Sequence, residues 1–210
     1  MNLPQEIIDQ IIYNLVPDVS SLRSRSLVTK SWEHTSRKWL FNDVFISGKT
    51  YQQWVDRIAP ENVEPLRHIR FFTYIPDGRA GGKMHRIDTL HRYLLSLCQL
   101  ERLGLSSMFL GPDVLQQTGL FSAFQQILSS LGLAGCHTTS SALIAIINYF
   151  PLLVSLDLQS VSYEEVGEPV PRLSRPLRGR LVITECSARS RALFDKLSNP
   201  SPELDELVLR

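Results

Sequence analysis

Leu128-Ser-Ser-Leu131-Gly-Leu133 and Leu153-Val-Ser-Leu156-Asp-Leu158 share one form: an apolar residue, two positions, a second apolar residue, one position, and a third. The form recurs at Leu66-x-x-Ile69-x-Phe71, Leu100-x-x-Leu103-x-Leu105 and Leu204-x-x-Leu207-x-Leu209, with a degenerate Leu181-x-Ile183 and an earlier Val44-x-Ile46. Its last apolar residues follow one another at intervals of 25 to 28 residues, except for one of 34 between Phe71 and Leu105. That interval holds Ile75-Pro-Asp-Gly-Arg-Ala-Gly-Gly-Lys83, whose proline and glycines mark an inserted surface loop. The apolar-x-apolar end of each cluster carries the period-two signal of a short strand with one buried face.

Between clusters, Leu90, Leu94 and Leu97, then Leu120, Phe124, Ile127 and Leu131, then Leu143, Ile144 and Ile147 fall at helical spacing. Each unit is therefore expected to be one strand plus one helix, stacked on its neighbours because no unit could bury its own face. The interval and pattern resemble leucine-rich repeats, over roughly residues 60 to 210. Cys136 and Cys186 stand three positions after the last apolar residue of their clusters, where that pattern carries Asn or Cys, so both are expected to be structural. The expected fold class is α/β, an N-terminal three-helix segment (residues 1–45) followed by a strand–helix solenoid with parallel strands (residues 46–210). An ordinary α/β domain with parallel strands is the alternative. Because Leu209-Arg210 follows directly on a strand cluster with no polar cap, a shortened C-terminus is expected.

Composition bounds the function. With 43% hydrophobic and 20% charged residues the chain reads as globular, and 22 basic against 21 acidic side chains give no electrostatic footprint for nucleic acid. The N-terminus has no basic start before an apolar run, and the longest apolar stretch, Ala142 to Leu156, is interrupted and shorter than a bilayer span. Neither a leader nor a membrane span is expected. Three widely spaced cysteines suit the cytoplasm or nucleus.

The N-terminal segment has more apolar surface than one neighbour can cover. Pro4 suits the start of a helix, and Glu6 suits its positive end. At 100° per residue, Leu3 falls at about −40°, Ile7 at about 0°, Ile11 at about 40°, Leu15 at about 80°, Ile8 at about 100° and Ile12 at about 140°. That arc of about 180° exceeds the stripe of about 100° on a helix packed on one side. Pro17 ends the helix, Asp18 and Ser20 offer caps for a second carrying Leu22, and Val28, Trp32, Thr35 and Trp39 space a third. A unit of this size without disulfide or metal rarely stands alone, so its surplus apolar surface is a candidate interface.

Leu3-Pro4-x-Glu6-Ile7-x-x-x-Ile11-x-x-x-Leu15, then Leu22, then Leu27-Val28-x-x-x-Trp32, resembles an F-box. It is similar in particular to fungal F-box-like sequences in which Trp32 is followed by a segment like Lys38-Trp-Leu-Phe-Asn-Asp-Val-Phe-Ile46. The resemblance implies docking on the Skp-type adaptor of cullin–RING (SCF-type) ubiquitin ligases, with a target protein held downstream. It assigns Leu3, Pro4, Ile7, Ile11, Leu22, Val28 and Trp32 to the adaptor interface, while Leu15 and Leu27 pack internally. The alternatives are that these side chains form only the first cap of the body, and that the protein is a leucine-rich-repeat scaffold with no ligase role.

Catalytic signals are missing. Gly78-x-x-x-Gly82-Lys83-Met84 has neither the glycine spacing nor the Ser/Thr of a phosphate loop, and no G-x-S-x-G, H-E-x-x-H or Cys-x-x-Cys occurs. His85 and His91 would point about 240° apart on a helix, and Glu164, Glu165 and Glu168 flank a Pro-rich loop with no enclosed setting for acid–base work. No enzyme activity, metal or cofactor is expected. Asp77 to Lys83 and Glu164 to Arg178 are the candidate ligand-facing insertions.

Overall fold

The computed structural model describes residues 4–15, 30–48, 50, 53, 64–76, 85–86, 94–111, 121–164, 172–175, 177–185 and 204–209. Two helices come first, α1 (Gln5–Leu15) and α2 (Lys30–Leu40). Strands β1 (Asp43–Ser47), β2 (Phe71–Ile75), β3 (His85–Arg86), β4 (Arg102–Ser106), β5 (Met108–Leu110), β6 (Ser130–Ala134) and β7 (His137–Thr139) follow. Helix α3 (Ser140–Tyr149) leads into β8 (Ser155–Gln159), β9 (Ser162–Glu164), β10 (Gly179–Thr184) and β11 (Leu204–Leu209). Seven strands form one parallel sheet in the order β1-β2-β4-β6-β8-β10-β11, and four short ones form a second, β3-β5-β7-β9, also parallel. Among the described residues no helix is long and apolar enough to cross a membrane.

The expected strand–helix solenoid behind a three-helix segment is not what the chain forms. It is a mixed α/β structure with a seven-stranded parallel sheet, in which three α-helices are described along their length, α3 among them lying between strands. Residues 16–29, where the second N-terminal helix was expected, lie outside the described residues. The body departs for a physical reason. Leu94, Leu97 and Leu100 are spaced by three, and their amides bond in three-residue steps, Leu97 to Leu94 O at 3.2 Å and Leu100 to Leu97 O at 3.2 Å. Leu94 is itself α-helical, and the tight turns that follow it keep the i, i+3 apolar spacing of an α-helix but stop after one or two steps. Phe121 to Leu128 turns similarly through a 3-10 segment at Ser122–Phe124. Helix α3 forms where ten residues rich in Ala, Leu and Ile follow a cap: Thr139 Oγ1 accepts the Ala142 amide at 3.1 Å.

A second sheet was not anticipated. The residue after each of β4, β6, β8 and β10 is left-handed: Ser107 (φ 51°), Gly135 (φ 58°), Ser160 (φ 49°) and Glu185 (φ 55°). Each such corner redirects the chain out of the seven-stranded sheet, and after β4, β6 and β8 the four-stranded sheet begins within one or two residues. The corners stack, since the Ser107 amide donates to Ala134 O at 2.8 Å, Gly135 to Gln159 O at 2.8 Å and Ser160 to Thr184 O at 2.9 Å.

The inner face of the large sheet carries Phe72 and Tyr74, Leu103 and Leu105, Leu131 and Leu133, Leu156 and Leu158, Leu181 and Ile183, all buried in one core. Register therefore corrects one cluster. The inward pair of β2 is Phe72 and Tyr74, aligned with Leu103 and Leu105, so the frame is Ile69-x-x-Phe72-x-Tyr74 and Phe71 faces the other side. The long interval shrinks from 34 to 31 residues. The degenerate cluster is explained too: Leu177 is buried four residues before Leu181 rather than three, and the register between β10 and β11 shifts at Gly179/Arg180.

Candidate functional site

Helix α1 is built to show different things to its two sides. The Pro4 carbonyl accepts the amides of Ile7 (3.1 Å) and Ile8 (3.2 Å), and Glu6 sits in the first turn at the positive end of the helix dipole. Ile8 and Ile12 are buried, 4% and 0% exposed, against Trp32, Trp39 and Leu40 of α2, a small core separate from that of the sheets. Full burial of such side chains contributes about 1.5 to 3 kcal/mol each, enough to fix the rotation of α1 against α2. The other half of the apolar arc then stays outside: Pro4 is exposed, Ile7 is 44% exposed and Ile11 is half-buried. Positions 4, 7 and 11 fall within about 60° of one another, so they form one stripe.

Polar groups lock the same helix pair. Gln5 Nε2 donates to Asp9 Oδ1 at 2.8 Å and to Thr35 Oγ1 at 3.2 Å, and Thr35 Oγ1 donates to Asp9 Oδ1 at 2.9 Å. Tyr13 meets Trp39 edge to face at 5.5 Å between ring centres. A cleft of about 510 Å³ lies between the helices, lined by Gln5, Asp9, Gln10, Tyr13, Thr35, Lys38 and Trp39. On α2, Glu33 in the first turn and Arg37 in the last form an i, i+4 pair at 2.6 Å. Ser36 is fully buried, and among the described residues its Oγ has no hydrogen-bond partner.

The residues assigned to the interface separate into three groups. Pro4, Ile7 and Ile11 share the outward stripe. Trp32 packs inward on Ile8 and Ile12 and so braces the stripe from behind. Leu3, Leu22 and Val28 lie outside the described residues. No family model matches the chain, and no curated protein matches it.

Sequence reasoning missed the Gln5–Asp9–Thr35 lock; the i, i+4 spacing of Gln5 and Asp9 was its visible half. In the second candidate insertion, Asn148 holds the described part down. Its Nδ2 donates to Arg172 O at 3.0 Å, and its Oδ1 accepts the Ser174 amide at 2.8 Å. The Arg175 guanidinium donates to the Phe150 and Pro151 carbonyls. Asp77 to Lys83 lies outside the described residues.

Cys136 is buried, and its Sγ donates to Leu105 O at 3.4 Å; burial pushes the thiol up to about 11, backbone hydrogen bonds with Met108 and Ala134 offsetting part of the rise. It is a packing residue with a thiol too weakly acidic for a nucleophile. Cys186 lies outside the described residues. No group of three or more His, Cys, Asp or Glu side chains is placed to hold a metal among the described residues.

Proposed function

We propose that the protein is a non-enzymatic substrate receptor of a cullin–RING ubiquitin ligase, acting in the cytoplasm or nucleus. Its N-terminal helices dock on the Skp-type adaptor, and its parallel-sheet body carries the target protein. The observation that supports this reading is the divided apolar arc of α1. Ile8 and Ile12 are consumed by α2, whereas Pro4, Ile7 and Ile11 form an outward stripe on a helix whose orientation is already fixed. A partner helix laid along that stripe buries it without rearranging the pair. A receptor of this kind needs no catalytic group, because its work is to raise the effective concentration of the target's lysines at the ligase.

Gel filtration of the purified chain with a Skp-type adaptor tests the proposal. A receptor co-elutes with the adaptor as one complex. Separate elution at micromolar concentrations, with the chain folded by circular dichroism, leaves an interaction scaffold without a ligase role as the reading.

A further inference from the structure

The chain leading into β10 is fastened to the last turn of α3 by one asparagine. Asn148 Oδ1 accepts both the Ser174 amide at 2.8 Å and the Ser174 hydroxyl at 3.0 Å, while its Nδ2 donates to Arg172 O at 3.0 Å. Helix α3 has no basic residue in its last turn, so its carbonyl end lacks a cation of its own. Arg175 supplies one from outside, its guanidinium donating to the Phe150 and Pro151 carbonyls. Between the two anchors Leu173 packs against the main core. Residues 172–175 are thus a clasp across the end of α3.

Ser174 is the point at which this clasp is open to chemistry from outside. It is exposed, on backbone that is neither helix nor strand, between β9 and β10. The run Arg172-Leu-Ser174-Arg175-Pro-Leu-Arg178 puts arginines two positions before it and one and four positions after it. An accessible serine on irregular backbone with cations on both sides complements the acidic substrate groove of an arginine-directed protein kinase. Arg175 and Arg178 also crowd each other: burial first, and then the Arg178 charge, hold the Arg175 guanidinium below its ordinary pKa. A dianion set beside them is therefore electrostatically favoured.

We propose that Ser174 is a phosphorylation site for an arginine-directed serine kinase, and that its phosphorylation opens the clasp. In the transfer Ser174 Oγ attacks the γ-phosphorus of ATP; the Oγ–P bond forms, the bond from that phosphorus to the β-phosphate oxygen breaks, ADP leaves, and the hydroxyl proton passes to the kinase. The phosphorylated Oγ has no proton to donate to Asn148 Oδ1. The new group brings about −1.5 to −2 charges against that amide oxygen and against the negative end of α3, where added negative charge is unfavourable. Arg175, the next residue, pairs with the phosphate and leaves the Phe150 and Pro151 carbonyls. With both anchors gone, Leu173 comes off the core. The clasp lies on the sheet body, so the proposal does not rest on the adaptor reading.

The test has two arms, both on the folded full chain. In the first, wild type, Ser174→Ala and Asn148→Ala are incubated with an arginine-directed serine kinase and magnesium ATP, and the phosphate is mapped by mass spectrometry. Wild type is expected to carry phosphate at Ser174, and Asn148→Ala, whose Ser174 hydroxyl is released, to gain it about fivefold faster, as one lost hydrogen bond implies. In the second arm phosphoserine is installed at position 174 by codon suppression, and backbone hydrogen exchange is followed over residues 140–153. Ser174→Ala loses one hydrogen bond and keeps Arg175 in place, so exchange there rises no more than about fivefold; the phosphoserine protein also loses the charged Arg175 bonds and exchanges about thirtyfold faster than wild type. Absence of phosphate at Ser174 in the folded chain overturns the proposal, whether or not a synthetic peptide of residues 168–180 is labelled. So does equal labelling of wild type and Asn148→Ala. Exchange in the phosphoserine protein no faster than in Ser174→Ala overturns the opening of the clasp, and slower exchange than in wild type would make the phosphate a lock instead.

Discussion

Replacing Gly179 with alanine puts the start of β10, where it joins β8, under direct strain. Gly179 has φ +80°, and a Cβ there would stand 2.4 Å from Val154 O and 3.3 Å from Val154 C. The obstructing atom is backbone, and it is the acceptor of the Arg180 amide at 2.8 Å, the bond that starts β10 on β8. The left-handed conformation costs an alanine roughly 1 kcal/mol, and loss or stretching of the Arg180 bond about 1 kcal/mol more. With the backbone shift that relieves the clash, the total is about 2 to 4 kcal/mol. For a chain of this size that lowers the melting temperature by roughly 5 to 12 °C. Urea unfolding is the assay: the midpoint falls and the slope stays as in wild type. Gly132→Ala is the control, having a side-chain site with free space and no positive φ. Its effect is expected within about 0.5 kcal/mol of zero, or slightly stabilising. Equal stability of the Gly179→Ala and Gly132→Ala proteins would refute the tight join between β8 and β10.

The stacked left-handed corners give a paired expectation: Gly135→Ala destabilises by roughly 1 kcal/mol, whereas Ser107→Gly stabilises by up to about 1 kcal/mol, both read from urea midpoints. Cys136 gives a pH dependence. Its folded thiol lies near 11, above its ordinary 9.0, so the fold accommodates the neutral form. Stability is full below about pH 9, falls as pH rises from there toward 11, and the loss totals about 2 to 3 kcal/mol. Cys136→Ala should lack that part of the alkaline slope. Thiol titration of the folded protein at pH 8 should count the same number of reactive cysteines in wild type and Cys136→Ala.

The strands were the legible part of the fold, because the apolar-x-apolar ends of the clusters are the inner face of the parallel sheet. At β2 the frame slipped, since Ile69 and Phe71 alternate as convincingly as Phe72 and Tyr74. Only the partner strand decides, by aligning Phe72 with Leu103. Helical spacing does not by itself give a helix: beyond Leu94, Leu97 and Leu100 keep the three-residue spacing in tight turns. The four-stranded sheet was invisible, as its corners use Ser107 and Ser160 at positive φ and not glycine alone. At the N-terminus the width of the α1 arc was readable. Which half is covered was not, since that depends on where Trp32, Trp39 and Leu40 of α2 land.

The outward stripe of α1 is tested most directly by calorimetric titration of a Skp-type adaptor into wild-type protein and an Ile7→Asp/Ile11→Asp variant. Ile8 and Ile12 remain in place, so the variant should keep its helical signal. Taking two apolar anchors out of the centre of an interface, at about 2 kcal/mol each, should weaken adaptor binding by roughly 100-fold or more. Adaptor binding of equal strength by the folded variant, or none by wild type, would contradict the account.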